Sequence, residues 1–174
     1  MTTDVLLRRR STRQFSNRPV EEEKIRELLE CAMSAPSCVN ARDWCFLVVR
    51  EKETLWKMAE ANGRPAEPLK GAPLGILVCG DLDRAFAKAK DYWIIDCAAA
   101  AENLSVAAEA MGLGCVWLGT WPQQERVKRQ TELFGLPETI VPHSVLAVGY
   151  PAEPVETTIR SSRYEEDRVH FEKW

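Results

Sequence analysis

Residues 92–111 constrain the fold more than any other part of the sequence, because they predict a long helix that is apolar on most of its circumference. Asp96 and Asn103 would share one side of that helix at about 100° per residue, and both would need buried partners. A helix packed on several sides, in a chain of 174 residues, favours burial against a second subunit. Glu102 and Glu109 add charges that are costly in lipid, so the segment does not indicate a membrane span.

The other periodic segments give a regular succession of helices and strands. Helices are predicted over residues 3–9, 21–34, 51–62 and 123–134, and strands over residues 46–49, 74–79, 115–118 and 144–148. Prolines and a glycine between residues 65 and 73 predict a loop. The order α–α–β–α–β–α–β–α–β, without an internal repeat or linker, indicates a single domain of α/β type over residues 1–174.

The net charge and the first residues of the chain indicate which partners and which cellular location to expect. The net charge is −3 at pH 7, whereas a nucleic-acid-binding surface usually shows as a basic excess, so nucleic acid is not an expected partner. The first residues, MTTD, have neither a positive start nor a long apolar run behind them, which argues against a signal peptide. The sequence therefore predicts a cytoplasmic protein without a membrane partner.

The metal-binding and nucleophilic residue types are sparse. The chain has six cysteines and two histidines, and none of the cysteines forms a C-x-x-C pair, so no metal site is expected. Cys79, Cys97 and Cys115 lie in apolar runs and are interpreted as small core residues. No serine–histidine–aspartate or cysteine–histidine arrangement is visible, so no catalytic side chain is predicted. A cofactor would then have to supply the chemistry.

A basic cluster lies near the start of the chain. Arg9, Arg10, Ser11 and Arg13 place three guanidinium groups and one hydroxyl close together in sequence. Arginine makes paired, charge-assisted hydrogen bonds to phosphate oxygens, so the cluster could surround a phosphate group. A solvated, positively charged helix end is the alternative, and the cluster alone does not decide between the two.

A glycine motif, Gly112-Leu113-Gly114, is similar to part of a dinucleotide-binding fingerprint. It follows a predicted helix and precedes a predicted strand, whereas the fingerprint connects a strand to a helix. A glycine that ends the helix, followed by a tight turn, explains the motif better.

Four sequence blocks stand in a fixed order along the chain. They are RRSTRQF at residues 9–15 with Pro19-Val20, APSCVNARDW at residues 35–44, the helix 96–104 with GLGCVWLG at residues 112–119, and Gly149-Tyr150-Pro151. In this order they resemble the FMN-dependent nitroreductases in their short form, over essentially the whole chain.

The resemblance implies an α+β fold with a mostly antiparallel central sheet flanked by helices, in an intertwined homodimer with two FMN sites at the subunit interface. It implies that the FMN phosphate is held by Arg9, Arg10, Ser11, Arg13 and Arg163. Flavin or ribityl contacts, across the interface, are implied for Pro36, Ser37 and Asn40. The residues implied to line the ring are Trp117, Leu118 and Gly119.

The activity that the resemblance implies is that of an NAD(P)H-dependent flavin reductase or nitroreductase. NADH or NADPH would reduce FMN and leave, and a nitroaromatic, quinone or related small acceptor would then be reduced, in a ping-pong mechanism. Two alternatives stay open: a specialised member such as a dehalogenase or flavin-destroying enzyme, and a flavin-binding or regulatory protein without NAD(P)H turnover. Specialised members tend to carry lid insertions, for which only the short segment 62–73 is available.

The chain departs from the family pattern at Arg42-Asp43, where the usual residues are Gln-Pro. Arg42 follows Asn40 by two residues, so it could lie near the flavin edge and favour the reduced, anionic flavin. Pairing with Asp43, or exposure to solvent, is the alternative. A further expectation concerns the tail, whose aromatic end at Phe171 and Trp174 would dock on another surface.

Overall fold

Four antiparallel strands form a sheet in the order β1–β2–β4–β3 in the computed structural model, which describes residues 4–153 and 163–174. The strands are β1 (Trp44–Val49), β2 (Leu74–Asp81), β3 (Gly114–Gly119) and β4 (Ile140–Gly149). β2 and β4 are central, and β1 and β3 are the two edges. The α+β fold implied by the family resemblance is confirmed. The α/β type inferred from element order alone is wrong, because every neighbouring pair of strands runs antiparallel.

Helices lie on both sides of this sheet. The α-helices within the described residues are α1 (Asp4–Arg8), α2 (Glu22–Met33), α3 (Lys52–Asn62), α4 (Tyr92–Ala110) and α5 (Gln124–Phe134). Short 3-10 helices cover Cys38–Asn40, Arg64–Gly71 and Glu166–Arg168. Each predicted α-helix is confirmed, with boundaries that differ by one residue at most.

Two segments differ from the sequence-based expectation. The predicted loop over residues 65–73 is largely a 3-10 helix, Arg64–Gly71, which accommodates Pro65 because a proline in the first turn loses no helical hydrogen bond. β4 begins at Ile140 instead of at residue 144 and contains Pro142. The register between β2 and β4 shifts at Val78/Cys79, next to the pairing of Cys79 with Pro142, and such an irregularity tolerates a residue without an amide hydrogen.

The alternation of side chains along the strands divides the core into two layers. Ile76 and Val78 of β2 pack with α2 and α4 on one face, whereas Leu77 and Cys79 pack with α3 and residues of the 3-10 helix Arg64–Gly71 on the other. Residues of β3 and β4 continue both layers. The core interpretation of Cys79, Cys97 and Cys115 is confirmed, since all three are buried.

The helix α4 is buried on most of its circumference, as predicted from its composition. Asp96 and Asn103 find the partners that their burial requires: Asp96 accepts a hydrogen bond from the Cys38 amide, and Asn103 Nδ2 donates to the Cys31 carbonyl at 3.1 Å. The helix ends at Ala110, Gly112 follows with a φ of 72°, and the Leu113 amide donates back to the Ala108 carbonyl. The helix-ending reading of the glycine motif is therefore confirmed.

Candidate active site

The arginine turn, residues 8–13, lies against the start of β3. Ser11 forms a parallel bridge with Cys115, and the Thr12 amide donates to the Cys115 carbonyl at 3.0 Å. The approach is so close that a Cβ added to Gly114 would lie 2.5 Å from the Thr12 side chain. Glycine at position 114 therefore allows the turn to pack on the sheet.

The guanidinium groups of this turn are held partly by backbone carbonyls. Arg10 Nη1 donates to the carbonyls of Leu7 and Arg8 at the end of α1, and Arg13 Nη1 donates to the Ser11 carbonyl at 3.2 Å. Arg9 Nε lies 3.8 Å from a carboxylate oxygen of Glu102 on α4. These contacts fix several positive charges around one short stretch of backbone.

Arg8 belongs to the same cluster, although the sequence analysis did not include it. Its Nε is buried and has no hydrogen-bond partner. Buried donors of charged groups are rarely left without an acceptor, so Arg8 adds a positive charge beneath the turn that no acceptor in the described residues balances. The signal in the sequence was the uninterrupted run of three arginines, Arg8–Arg9–Arg10.

The end of β3 presents one aromatic side chain and one open glycine. Trp117 is 36% exposed and lies on the α4 face of the sheet, with its ring 5.8 Å from that of His143. A Cβ added to the exposed Gly119 would meet no atom within 4 Å. Leu118 points to the opposite face and is buried, so only its backbone could contact a ligand that rests on Trp117.

His143 is enclosed by aromatic rings next to this surface. The Trp93 ring lies 6.0 Å from it, and Nδ1 of His143 is 3.1 Å from the Ser144 hydroxyl. Burial lowers the pKa of His143 to about 4, against an opposing hydrogen bond with the Ile94 backbone. The imidazole is therefore neutral at pH 7 and serves as packing for Trp117.

The second candidate segment, residues 36–42, has an unusual backbone. Val39, Asn40 and Arg42 have φ values of 47°, 57° and 52°, a left-handed conformation that costs energy for residues other than glycine. The Arg42 amide donates to Ser37 Oγ at 2.9 Å and closes the turn. Pro36 and Asn40 are exposed, so they are available to a ligand or to another chain.

The two residues that replace the family's Gln-Pro do not interact as an ion pair. Asp43 is 1% exposed, and neither of its carboxyl oxygens has a hydrogen-bond donor within reach, so the expected alternative of an Arg42–Asp43 pair is wrong. Arg42 is exposed and lines a groove of about 890 Å³ along α2, where Glu30 and Met33 are among its neighbours. Arg42 and Asp43 are consecutive residues in the chain leading into β1, and their side chains point to different sides: Arg42 to solvent and Asp43 to the interior.

The structure does not bring all of the predicted site residues together in one chain. The arginine turn packs on β3, whereas the segment 36–42 leads into β1, and these are the two edge strands, about 14 Å apart across the sheet. Both segments contact α4, through Glu102 and Asp96, but these two side chains leave the helix in directions that differ by about 120°. Arg163 is exposed in the segment 163–174.

Within residues 4–153 and 163–174, no group of three or more histidine, cysteine, aspartate or glutamate side chains is placed to hold a metal ion. In the same part of the chain, no helix combines the length and the apolar character needed to cross a bilayer.

Comparisons with known proteins identify the family. The model of the Nitroreductase family matches residues 6–66 and 63–150. An Archaeoglobus fulgidus protein, provisionally named an NADH dehydrogenase/NAD(P)H nitroreductase, is 43% identical over 95% of this chain and 94% of its own length.

Solved structures agree with this result. A Clostridium acetobutylicum protein, provisionally named an NADH oxidase, has a TM-score of 0.91 and 39% identity, over 98% of this chain and 99% of its own. An FMN-dependent nitroreductase from Clostridium difficile has a TM-score of 0.89 and 28% identity, over 98% and 99% of the two chains. The fold, the arginine turn and these matches together make the chain a member of the nitroreductase family.

Proposed function

We propose that this chain is an NAD(P)H-dependent flavin oxidoreductase that holds FMN and passes electrons to a small acceptor such as a nitroaromatic or a quinone. The observation that carries the proposal is the arginine turn, which packs against β3 through Ser11 and Cys115. Cys115 lies two residues before Trp117 on the same strand. The names of the relatives, which include an NAD(P)H nitroreductase and an FMN-dependent nitroreductase, support the same cofactor and donor.

The arginine turn fits the phosphate end of FMN. Arg9, Arg10 and Arg13 supply positive charge, Ser11 is exposed, and the buried Nε of Arg8 lacks an acceptor. A phosphate would accept charge-assisted hydrogen bonds from the exposed groups of this turn, and the charge of Arg8 beneath it would add attraction. Arg163 is exposed, and we propose it as a further phosphate contact from the tail.

The surface of Trp117 and Gly119 fits the ring end. The exposed indole offers a flat apolar contact, and the free space over Gly119 lets a planar group approach the backbone. Bound FMN would accept hydride from NAD(P)H and release the electrons to the acceptor, in the two half-reactions of a ping-pong cycle. The chain's own residues would bind and orient the cofactor and exclude water from it.

A second copy of the chain would complete the site. Tyr92 and Ile95 on α4 are 44% and 61% exposed, and Leu6 and Leu7 on the neighbouring α1 are 58% and 55% exposed. Adjacent apolar side chains of this size on a surface are typical of subunit interfaces. We propose a homodimer in which Pro36, Ser37 and Asn40 of one subunit contact the FMN held by the arginine turn of the other.

The tail supports the same arrangement. Phe171 and Trp174 are 77% and 101% exposed, so the described tail does not bury its aromatic residues on its own chain. In a homodimer they would dock on the second subunit. The protein would then be stable only at concentrations at which the dimer persists.

The test starts with the purified protein. Denaturation should release FMN, identified by chromatography against FAD and riboflavin standards, and Arg13→Ala should retain less of it than the parent. NADH and NADPH are then added anaerobically, and the loss of the oxidised flavin spectrum is followed in a stopped-flow instrument. Release of FAD, or a protein that FMN cannot reconstitute, would overturn the cofactor proposal.

Reoxidation separates the remaining alternatives. Rapid recovery of the oxidised spectrum with nitroaromatics or quinones is the expected result and names the acceptor class. A protein that binds FMN but is not bleached by either nicotinamide would instead be a flavin-binding or regulatory protein. A protein that is bleached but reoxidised only by a different class of acceptor would be a specialised family member.

A further inference from the structure

Two carboxyl groups meet in the interior beside the segment 36–42. Asp43, just before β1, is 1% exposed, and Asp96 on α4 is 4% exposed. Asp96 is the charged side chain that acts most strongly on Asp43, so the two carboxyl groups are close neighbours. Two ionised carboxylates at this separation and burial repel strongly, so the pair is stable when it shares one proton.

The hydrogen-bond partners decide which residue carries that proton. Both carboxylate oxygens of Asp96 accept from the Cys38 amide, at 3.1 and 2.9 Å, so Asp96 already has a donor. Neither carboxyl oxygen of Asp43 has a hydrogen-bond partner of ordinary geometry, and burial outweighs the opposing effect of its own backbone amide. The shared proton is therefore assigned to Asp43, whose hydroxyl would then donate to Asp96.

The other titratable groups near Asp43 add negative charge or none. Asp81 at the end of β2 adds negative charge, and Cys97 on α4 is a buried neutral thiol. Burial, followed by the charge of Asp96, raises the pKa of Asp43 to about 6. Asp43 is thus largely protonated below that value and ionised well above it.

The Cys38 amide connects this pair to the proposed cofactor site. Cys38 begins the strained turn that contains Val39, Asn40 and Arg42, all with positive φ. Such a backbone persists only where its surroundings hold it. Within the turn, the amides of Asn40, Ala41 and Arg42 donate to Ser37 or Cys38. The Cys38 amide on Asp96 is the contact that ties the turn to α4.

We propose that protonated Asp43 is a positioning residue for the cofactor: its hydroxyl fixes Asp96, and Asp96 holds the turn that presents Asn40 to FMN. The proposal depends on the proposed function for the identity of the ligand. Ionisation of Asp43 removes the hydrogen bond to Asp96, sets two carboxylates against each other and loosens the turn. The turn is therefore held best in mildly acidic conditions.

The first experiment measures FMN affinity by flavin fluorescence from pH 5 to 8 for the parent, Asp43→Asn and Asp83→Asn. The asparagine at 43 keeps a donor to Asp96 but cannot ionise, and Asp83 is an exposed carboxylate two residues beyond Asp81. The FMN phosphate itself titrates near pH 6, so the informative quantity is the ratio of dissociation constants at each pH. That ratio cancels the titration of the ligand.

The ratio of the parent to Asp43→Asn should be near one at pH 5 and rise to about fivefold or more at pH 8. The ratio of the parent to Asp83→Asn should stay near one throughout. A ratio for Asp43→Asn that is the same at every pH, whether large or small, would show a purely structural role and overturn the proposal.

The second experiment does not need FMN. In the apo protein, the amide resonance of Cys38 should shift with a midpoint near pH 6 in the parent, set by Asp43, and should stay constant over that range in Asp43→Asn. Titration of this resonance without any FMN binding would refute the proposed function and leave the carboxyl pair intact. An amide that does not titrate in the parent would refute the pair itself.

Discussion

Arg9 of the arginine turn lies beside Glu102 of α4, with Nε of the arginine 3.8 Å from a carboxylate oxygen. The Glu102 side chain is 54% exposed, so this pair contributes little to the stability of the fold. Its larger effect is electrostatic, because the carboxylate neutralises one of the positive charges that the proposed FMN phosphate needs.

Replacement of Glu102 by glutamine should strengthen FMN binding by about two- to fivefold, because Arg9 is released from its counter-charge. The dissociation constant is measured by flavin fluorescence quenching at low ionic strength, where the effect is largest. Glu125→Gln is the matched control, since Glu125 pairs with Arg129 at 2.8 Å on α5. Weaker binding in Glu102→Gln than in the control would contradict the phosphate assignment of Arg9.

Arg13→Ala should weaken FMN binding by about ten- to a hundredfold, the cost of one charge-assisted hydrogen bond to phosphate. Arg13 is exposed and donates to the Ser11 carbonyl of its own turn, so its removal should leave the fold intact. Lys128→Ala is the comparison, because Lys128 is an exposed cation on α5 whose nearest acid is Glu132 at 3.9 Å. Equal affinities in the two variants, measured by titration calorimetry, would refute the role of Arg13.

Ile95→Glu should convert the proposed homodimer into a monomer, because it places a charge on the exposed apolar residues of α4 that the proposed interface would bury. Sedimentation velocity of parent and variant at micromolar concentration measures the change. Trp56→Glu changes a residue on α3 that is 45% exposed, and it should leave the dimer intact. A parent protein that sediments as a flavin-loaded monomer would exclude the homodimer.

His143 should make the protein less stable in mild acid. Its folded pKa of about 4 lies below the ordinary value near 6.5, so its contribution is complete above pH 6.5 and is lost as the pH falls towards 4. The loss should be of the order of 2–3 kcal/mol at pH 4.5.

Urea unfolding at pH 7 and pH 4.5 measures this loss, and His143→Gln should reduce the difference between the two pH values. The comparison with the variant is essential because Asp43, with its raised pKa, gains stability over part of the same pH range. An identical pH dependence in parent and variant would show that His143 is not the titrating group.

Gly114→Ala should destabilise the protein by about 1–3 kcal/mol, because the new methyl group overlaps the Thr12 side chain. The same variant should lose FMN affinity, since the arginine turn is pushed away from β3. Adding Thr12→Gly should recover much of both losses, which thermal melts and FMN titrations can follow. If Thr12→Gly restores neither stability nor FMN affinity, the contact between positions 114 and 12 is not the cause of the losses.

The sequence predicted features that depend on local periodicity and missed features that depend on contacts between strands. The buried polar residues of α4, Asp96 and Asn103, were predicted because their spacing places them on one side of a periodic apolar helix. The early start of β4 was not predicted, because Pro142 ordinarily argues against a strand. The register shift that accommodates this proline depends on the pairing with β2, which the sequence does not show.

The sequence also could not place Asp43. Its neighbour Arg42 suggests an ion pair, and only the path of the chain into β1 shows that the carboxyl group turns inwards towards α4. For Leu118, by contrast, the sequence held the answer. Side chains alternate between the two faces of a strand, so Leu118 and Trp117 on β3 cannot both contact the same ring with their side chains. Contacts between distant segments therefore account for most of what was missed.

The packing of the arginine turn on β3 has a consequence for solubility as well as for binding. β3 is an edge strand, and edge strands expose backbone groups that can recruit strands from other molecules. Ser11 bridges to Cys115 at the start of this edge, and Phe15 bridges to Pro151 beyond the end of β4. The proposed phosphate-binding segment therefore also covers the start of this edge, and a chain that lost it would expose more of a template for aggregation.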